Sequence, residues 1–294
     1  MATLRDIRNR IKGVKNTSKI TQAMKMVSAA KMKRAQRAIE SARPYFSKLE
    51  EMSANLLSGL GEGYQNDLIV ERSEVNRIAV VVIGSDRGLC GSFNANLFKY
   101  IRSYRQELQS EYNGAELEFI AVGNKPVSFY KKTDLELIAT YRDVFQNLEF
   151  TTASDIVYTL TNKFALGEVD KVFVVYNEFI NILKQIPKPM QLLPIKRKEA
   201  VEGDETQSTS DYIFEPDKAE ILDILLPKLV NTNVWKALLE SNAAEQAARM
   251  MAMETATKNA KDLIESLNVV YNRKRQDAIT TEMMEIIGGA EALG

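Results

Sequence analysis

Apolar residues near the start of the chain recur in steps of three and four. Leu4, Ile7, Ile11 and Val14 open the series, which is the stripe of an amphipathic helix in need of a partner. The stripe is read onward through Ile20, Met24 and Val27, then Met32, Ala35, Ile39, Ala42, Phe46 and Leu49. Between Thr17 and Met32 the strict heptad meets polar residues. The pattern therefore predicts a phase shift there, a local change of supercoil rather than a helix end. Residues 1–57 read as one N-terminal helix. Pro44 is expected to kink it or end it near Arg43, because proline removes a hydrogen bond and clashes with the turn before. Leu56, Leu57 and Leu60 extend the pattern, and Gly59, Gly61 and Gly63 mark the exit.

The period changes between residues 75 and 200. RIAVVVIG (77–84), LEFIAVG (117–123) and KVFVVYNEF (171–179) are short apolar runs rich in β-branched residues, the mark of strands buried on both faces. Helical patterns fall between them, at Asn94–Gln109, Pro126–Lys132 and Ala153–Leu166. MQLLPI (190–195) is read as an edge strand, since Pro194 cannot donate to a central ladder. Alternating strands and helices predict a small, Rossmann-like α/β domain with a mostly parallel sheet. KRKEAVEGDETQSTSD (196–211) reads as a solvated charged loop.

Residues 211–290 return to helical periodicity. Pro227 is expected to mark a boundary or kink. From Trp235 to Ile287 there is no Pro or Gly. The stripe is first small, Ala237, Ser241, Ala244, Ala248, Met251 and Thr255, then Ile264, Leu267, Tyr271, Ala278 and Thr281. Gly288 and Gly289 are expected to end the helix. At 1.5 Å per residue the N-terminal helix spans about 80 Å, and the C-terminal one at least as much. A compact domain of ~130 residues is only about 30 Å across. The economical arrangement pairs the two helices with each other, antiparallel, as a coiled coil with both termini at its far end. Packing of the helices in a bundle is the alternative.

Composition narrows the function. Histidine is absent, which removes the commonest general base at neutral pH and the commonest metal ligand. One cysteine, Cys90, cannot form an internal disulfide and fits a reducing compartment. The longest apolar run, Ile78–Ile83, falls far short of the roughly 20 residues that span a bilayer. The basic start resembles a transit peptide, but Asp6 and the long periodic continuation argue against removal. Charge is uneven: residues 1–50 hold 13 Lys and Arg against 3 acids, while the whole chain is neutral. A segment this basic wants an acidic partner. Residues 1–44 contain no aromatic residue, which disfavours nucleic acid. A membrane-surface helix would carry Trp, Phe or Leu on its apolar face. An acidic protein sleeve suits the charge without either requirement.

IGSDRGLCGSFN (83–94) sits between a strand and a helix, where phosphate loops occur. Its glycines, Gly84, Gly88 and Gly91, follow neither the dinucleotide nor the P-loop spacing, and no Lys-Ser/Thr pair follows. A structural turn is the reading. Asp86 and Arg87 form a surface turn rather than an acid–base pair, having no third orienting group. Methionines concentrate on the terminal helices: Met24, Met26, Met32, Met250, Met251, Met253, Met283 and Met284. Part of these are core. Exposed ones make soft contacts suited to changing neighbours. No catalytic, cofactor or metal site is read from the residues. A nucleotide-binding enzyme and a basic nucleic-acid adaptor are the competing classes.

Three stretches carry a resemblance that covers the chain from end to end. They are IRNRIKGVKNTSKITQAMKMVSAAKMKRAQ (7–36), GSDRGLCGSFN (84–94), and SNAAEQAARMMAMETATKNAKDLI (241–264) with YNRKRQDAITTEMMEIIGGAEAL (271–293). Together they resemble the gamma subunit of the F-type ATP synthase, bacterial type. The C-terminal signature matches at Ile279, Thr280, Glu282, Glu285, Gly289, Ala290 and Ala292. The resemblance implies a central-stalk rotor without an active site, coupling proton-driven rotation of the c-subunit ring to ATP synthesis or hydrolysis on the ring of alpha and beta subunits. It implies contact with the epsilon subunit and a peripheral place on the cytoplasmic face of the bacterial inner membrane. By residue match, Met24 and Lys25 fall where the stalk meets acidic beta loops. Arg275, Gln276, Thr280 and Glu282 fall on the upper stalk, and Tyr212 and Glu215 at the foot, facing epsilon and the c ring. Lys25 stands where some relatives carry an acidic residue. Plastid relatives carry an inserted cysteine pair, which this chain does not have.

Overall fold

The computed structural model describes residues 3–60, 63–133, 135, 137–196 and 215–291. The elements run α1 (Leu4–Leu60), β1 (Arg77–Ile83), α2 (Phe93–Glu111), β2 (Glu116–Val122), α3 (Asn124–Tyr130), β3 (Leu137–Tyr141), α4 (Phe150–Ala165), β4 (Lys171–Phe179), β5 (Gln185–Leu193) and α5 (Lys218–Glu291). Contacts divide the chain into two units, residues 1–29 with 249–294, and residues 30–248.

The first unit is a pair of antiparallel helices. α1 opens on a capping box: Thr3 N–H donates to Asp6 Oδ2 at 2.9 Å, and Asp6 N–H to Thr3 Oγ1 at 3.2 Å, so two orphan donors of the first turn are satisfied. Ile7 and Ile11 bury against Leu267, with Val14, Ile264 and Tyr271 beside them. Arg8 donates to the Tyr271 hydroxyl at 2.6 Å, Thr21 and Thr257 share a hydroxyl bond of 2.7 Å, and Lys25 meets Glu254 at 2.8 Å. Each step along one helix is matched by a step back along the other. In that register α5 beyond about residue 277 has no α1 opposite it. Residues 279–290 are all exposed, an overhang of about 20 Å. In this unit α5 therefore outruns α1.

The phase shift expected between Thr17 and Met32 does not occur. The inward positions of α1 are Ile7, Ile11, Val14, Ser18, Thr21, Lys25, Ser28 and Met32, then Ala35, Ile39, Ala42, Phe46, Leu49, Ser53, Leu56 and Leu60, all buried or half-buried. This is an unbroken alternation of fours and threes. Where the seam turns polar it keeps its phase, because Ser and Thr are small and can bond across it. Ile20 and Val27, which the apolar pattern placed inside, are 60% and 56% exposed.

The second unit holds a five-stranded sheet in the order β3-β2-β1-β4-β5. β1 pairs in parallel with β2 and β4, β2 with β3, and β5 runs antiparallel to β4. Alternation along β1 sends Ala79, Val81 and Ile83 to one face, packed on α4, the end of α1 and the start of α5. Ile78, Val80 and Val82 go to the other, under α2 and α3. Both faces are covered, which is why β1 reads as a continuous apolar run. Each fully buried Val or Ile contributes about 1.5–3 kcal/mol.

None of the three helix ends that the sequence offered occurs. α1 runs through Pro44 and α5 through Pro227. Both prolines are exposed, as are Glu40 and Asp223 one turn earlier, so water can serve the carbonyls that lose a donor. α5 also passes Gly288 and Gly289 to reach Glu291; glycine weakens a helix by about 1 kcal/mol without forbidding it. β3 was not expected at all. β5 begins five residues earlier than 190, and its Pro187 and Pro189 pair with Asn177 and Val175. Being two apart, these prolines share one side of the edge strand and leave the ladder intact. The stretch 196–211, read as a charged loop, lies outside the described residues from 197 onward.

Candidate functional site

In the second unit, the loop after β1 is the place where an open α/β sheet would hold a ligand. β1 leads through β2 to β3 on one side, while β4 lies on the other, so the strand order reverses between β1 and β4. Such switch points form the usual ligand crevice, outside the carboxyl ends of the strands. Here α5 occupies it. Ser241 Oγ donates to the Ile83 carbonyl at 3.4 Å. Ala244 buries against Cys90 and Phe93, with Phe179 and Ala248 packed around them. Ala237, Ala243, Ala244 and Ala247 are fully buried. The stripe of small residues thus seats the helix directly over the strand ends, where a nucleotide would otherwise lie.

The polar groups of the loop are consumed internally. Asp86 is only 9% exposed. Its Oδ1 accepts from Asn124 N–H at 3.0 Å and its Oδ2 from Phe145 N–H at 2.8 Å. It is a buried bracket between the starts of two segments, and the expectation of a surface turn fails for this residue; Arg87 beside it is exposed. Ser85 N–H donates to Asn94 Oδ1 at 3.1 Å, and Asn94 Nδ2 donates back to Ser85 Oγ at 2.7 Å. Gly84 has no room for a side chain, since a Cβ would stand 2.4 Å from Pro126 Cγ. Gly123, at φ 98°, crosses the same point with a positive φ. These glycines are structural.

Two half-buried carboxylates elsewhere in this unit carry opposite electrostatics. Burial raises the Glu240 carboxyl above the usual range, opposed by Lys236 and Lys188 and reinforced by Glu178, with Tyr176 bonded to it. Asp170 is also desolvated. There the Arg72 guanidinium at 2.7 Å and the N–H groups of Asn76 and Arg77 outweigh burial and hold it low. The first is a stability cost at neutral pH and the second a clamp of the β1–β4 entry.

The first unit presents the charge. Arg5, Arg8, Arg10, Lys12, Lys15 and Lys19 are all exposed on α1. Met24 and Lys25 are half-buried at the polar part of the seam, and Lys25 is tied to Glu254. Arg275, Gln276, Thr280 and Glu282 are exposed on α5, the first of them some 21 residues, or about 30 Å, beyond Glu254. The structure does not gather these residues into one cluster; they mark separate levels of the pair. Glu215 is exposed just ahead of α5. Tyr212 lies outside the described residues.

The exposed methionines expected from sequence belong to a wider apolar outer surface. Ile20, Met26 and Val27 of α1 face solvent, and so do Ile279, Met283, Met284, Ile286 and Ile287 of the overhang. Counting the heptad strictly from Ile7 to Leu60 would have found the first group, since 20, 26 and 27 never fall on it.

Comparison with known proteins gives one answer throughout. A family described as ATP synthase matches residues 3–293. The ATP synthase gamma chain of Prosthecochloris aestuarii is 49% identical over 294 residues, covering 100% of this chain and 99% of that protein. That of Chlorobaculum tepidum is 48% identical with the same coverage. Among solved structures, the central stalk and c ring of Tetrahymena thermophila mitochondrial ATP synthase matches with TM-score 0.61 and 27% identity, over 81% of this chain and 99% of that one. A chain of the Euglena gracilis mitochondrial enzyme shares the fold at TM-score 0.69 and 21% identity, over 99% and 94%.

Proposed function

This chain belongs to the ATP synthase gamma-chain family, and from that premise we propose how its two helices do their work. It is a central-stalk rotor subunit, part of a complex that is catalytic as a whole and associates peripherally with a membrane. Our reading is that the subunit itself holds no active site. The observation that supports this is the helix seated in the switch-point crevice, which turns the usual ligand position of such a sheet into a socket for α5.

The partners in this reading are the alpha and beta subunits of the catalytic hexamer, the epsilon subunit and the c-subunit ring, at the cytoplasmic face of a bacterial inner membrane. No described helix is long and apolar enough to cross a membrane. An asymmetric axle within a ring of three like sites cannot touch all three alike. Each angle stabilises a different conformation at each site, and this differential contact energy is the coupling, reciprocal at equilibrium. The single observation that carries the proposal is the helix pair of the first unit. Its seam is satisfied from within, by Thr21 with Thr257 and Lys25 with Glu254, while cations and apolar side chains face outward. The exposed cations of α1 are guided by acidic beta loops. Met24 and Lys25 mark one contact level; Arg275, Gln276, Thr280 and Glu282 mark another; Tyr212 and Glu215 serve the foot.

The test is reassembly. Full-length chain in which Arg5, Arg8, Lys12, Lys15 and Lys19 are changed to Gln should enter the complex, yet lose coupling of ATP hydrolysis to proton pumping several-fold. Unaltered turnover and unaltered pumping would refute the role given to these cations.

A further inference from the structure

On the sheet face under α2 and α3, the cover is incomplete. A cavity of about 440 Å³ opens between the two helices at the level of Phe119. Its floor is Phe119 of β2, stacked on Tyr130 with centroids 5.2 Å apart. One wall is the stacked pair Phe98 and Phe129, with centroids 4.1 Å apart and rings nearly parallel. The mouth carries Arg102 and Arg105, one helical turn apart on α2 and both exposed.

Three features set this cavity apart from a packing defect. Four aromatic side chains, Phe98, Phe119, Phe129 and Tyr130, line it, which favours an aromatic body over a flexible chain. Both guanidinium groups lie without an acidic partner among the described residues. Arginine at the rim of an apolar cleft is suited to carboxylate, sulfonate or phosphate, with a planar fork that grips two oxygens at once. Tyr130 is 2% exposed, and its hydroxyl has no hydrogen-bond partner among the described residues, an unusual state for a buried phenol. The cavity also lies on the face of the sheet opposite the one packed by α1 and α5, so it is separate from the filled crevice.

We propose that this cleft is a binding site for a small aromatic anion, its ring system against the aromatic lining of Phe98, Phe129 and Tyr130 and its charged group on Arg102 and Arg105. A ligand of about twenty heavy atoms in such a half-open site reaches a Kd in the tens of micromolar. Salt weakens the interaction, because the arginines are exposed.

The probe is anilinonaphthalene sulfonate, titrated by its fluorescence into the full-length chain. The expected result is one saturable site per chain. The double variant Arg102→Gln, Arg105→Gln, with unchanged circular dichroism and thermal midpoint, should raise the Kd at least tenfold. Leu135→Trp, which fills the cavity mouth from a loop, should abolish the site. Because exposed apolar groups of the overhang also attract this dye, Ile286→Ser with Ile287→Ser serves as a control and should leave the saturable site unchanged. Binding that is unaltered by the two arginine changes, or that disappears with the overhang changes, overturns the proposal.

Discussion

Asp86 offers the most direct measurement of how the loop after β1 holds the second unit together. Its carboxylate is almost wholly buried and accepts two backbone N–H groups, Asn124 at 3.0 Å and Phe145 at 2.8 Å. Asp86→Ala strands both donors. A buried donor left without an acceptor costs about 1–3 kcal/mol. Allowing water to reach one of them, the expected loss is about 2–4 kcal/mol. Asp86→Asn keeps one acceptor oxygen and turns the other position into a donor facing a donor, so it should lose about half as much. The assay is urea unfolding of the full-length chain. Trp235 is the only tryptophan and packs edge-on against Phe150 in this unit, so its fluorescence reports the right transition. If Asp86→Ala were as stable as wild type within 0.5 kcal/mol, the bracket would be idle and the reasoning wrong. Equal stability of Asp86→Asn and wild type would also tell against it, since that would mean the two bonds are not both made.

Thr21 and Thr257 meet across the helix pair, and their two hydroxyl protons are shared between that contact and the carbonyls of Ser18 and Met253 in their own helices. Changing both to Val should therefore be neutral or stabilise the pair by up to about 1 kcal/mol, while the cycle of single changes shows a coupling near 1 kcal/mol; thermal unfolding followed by circular dichroism decides, and a loss beyond 2 kcal/mol for the double change would contradict it. Glu240 has a raised folded-state pKa. Its contribution is full below the unfolded glutamate range and is lost as pH rises through the raised value. Glu240→Gln should then be more stable than wild type at pH 8, by a figure on the order of 1 kcal/mol, with the advantage vanishing below about pH 4; a pH-independent difference between the two chains would refute the assignment.

Long-range periodicity was legible where side chains said one thing. Ile78–Ile83 could only be a strand buried on both faces, and the heptad of Ile7, Ile11 and Val14 could only be a paired helix. Legibility failed where position and polarity disagreed. Ser18, Thr21 and Ser28 are inside because a close, hydrogen-bonded seam wants small hydroxyls; hydrophobicity alone sent Ile20 and Val27 there instead. β3, with every residue half-buried or exposed, lacks the apolar run that marks the inner strands. Asp86 looked like a turn residue because its two acceptor bonds reach 38 and 59 positions ahead, which no local pattern reveals. Arg275, Thr280 and Glu282 were singled out by resemblance to a family alone, since nothing in their spacing marks them. The small stripe at Ala237, Ser241 and Ala244 stood out in the sequence; that it approaches strand ends within its own unit could not be read without the fold.

That seating has a consequence for how the protein is born. The carboxyl ends of β1 and β4 are finished only when Ser241 and Ala244 arrive, about 50 residues after β5 has left the ribosome. At 5–20 residues per second this leaves the sheet incomplete for roughly 3–10 s. During that interval the nascent chain displays Cys90, Phe93 and Phe179 without their alanine cover, and the surface closes only when α5 arrives.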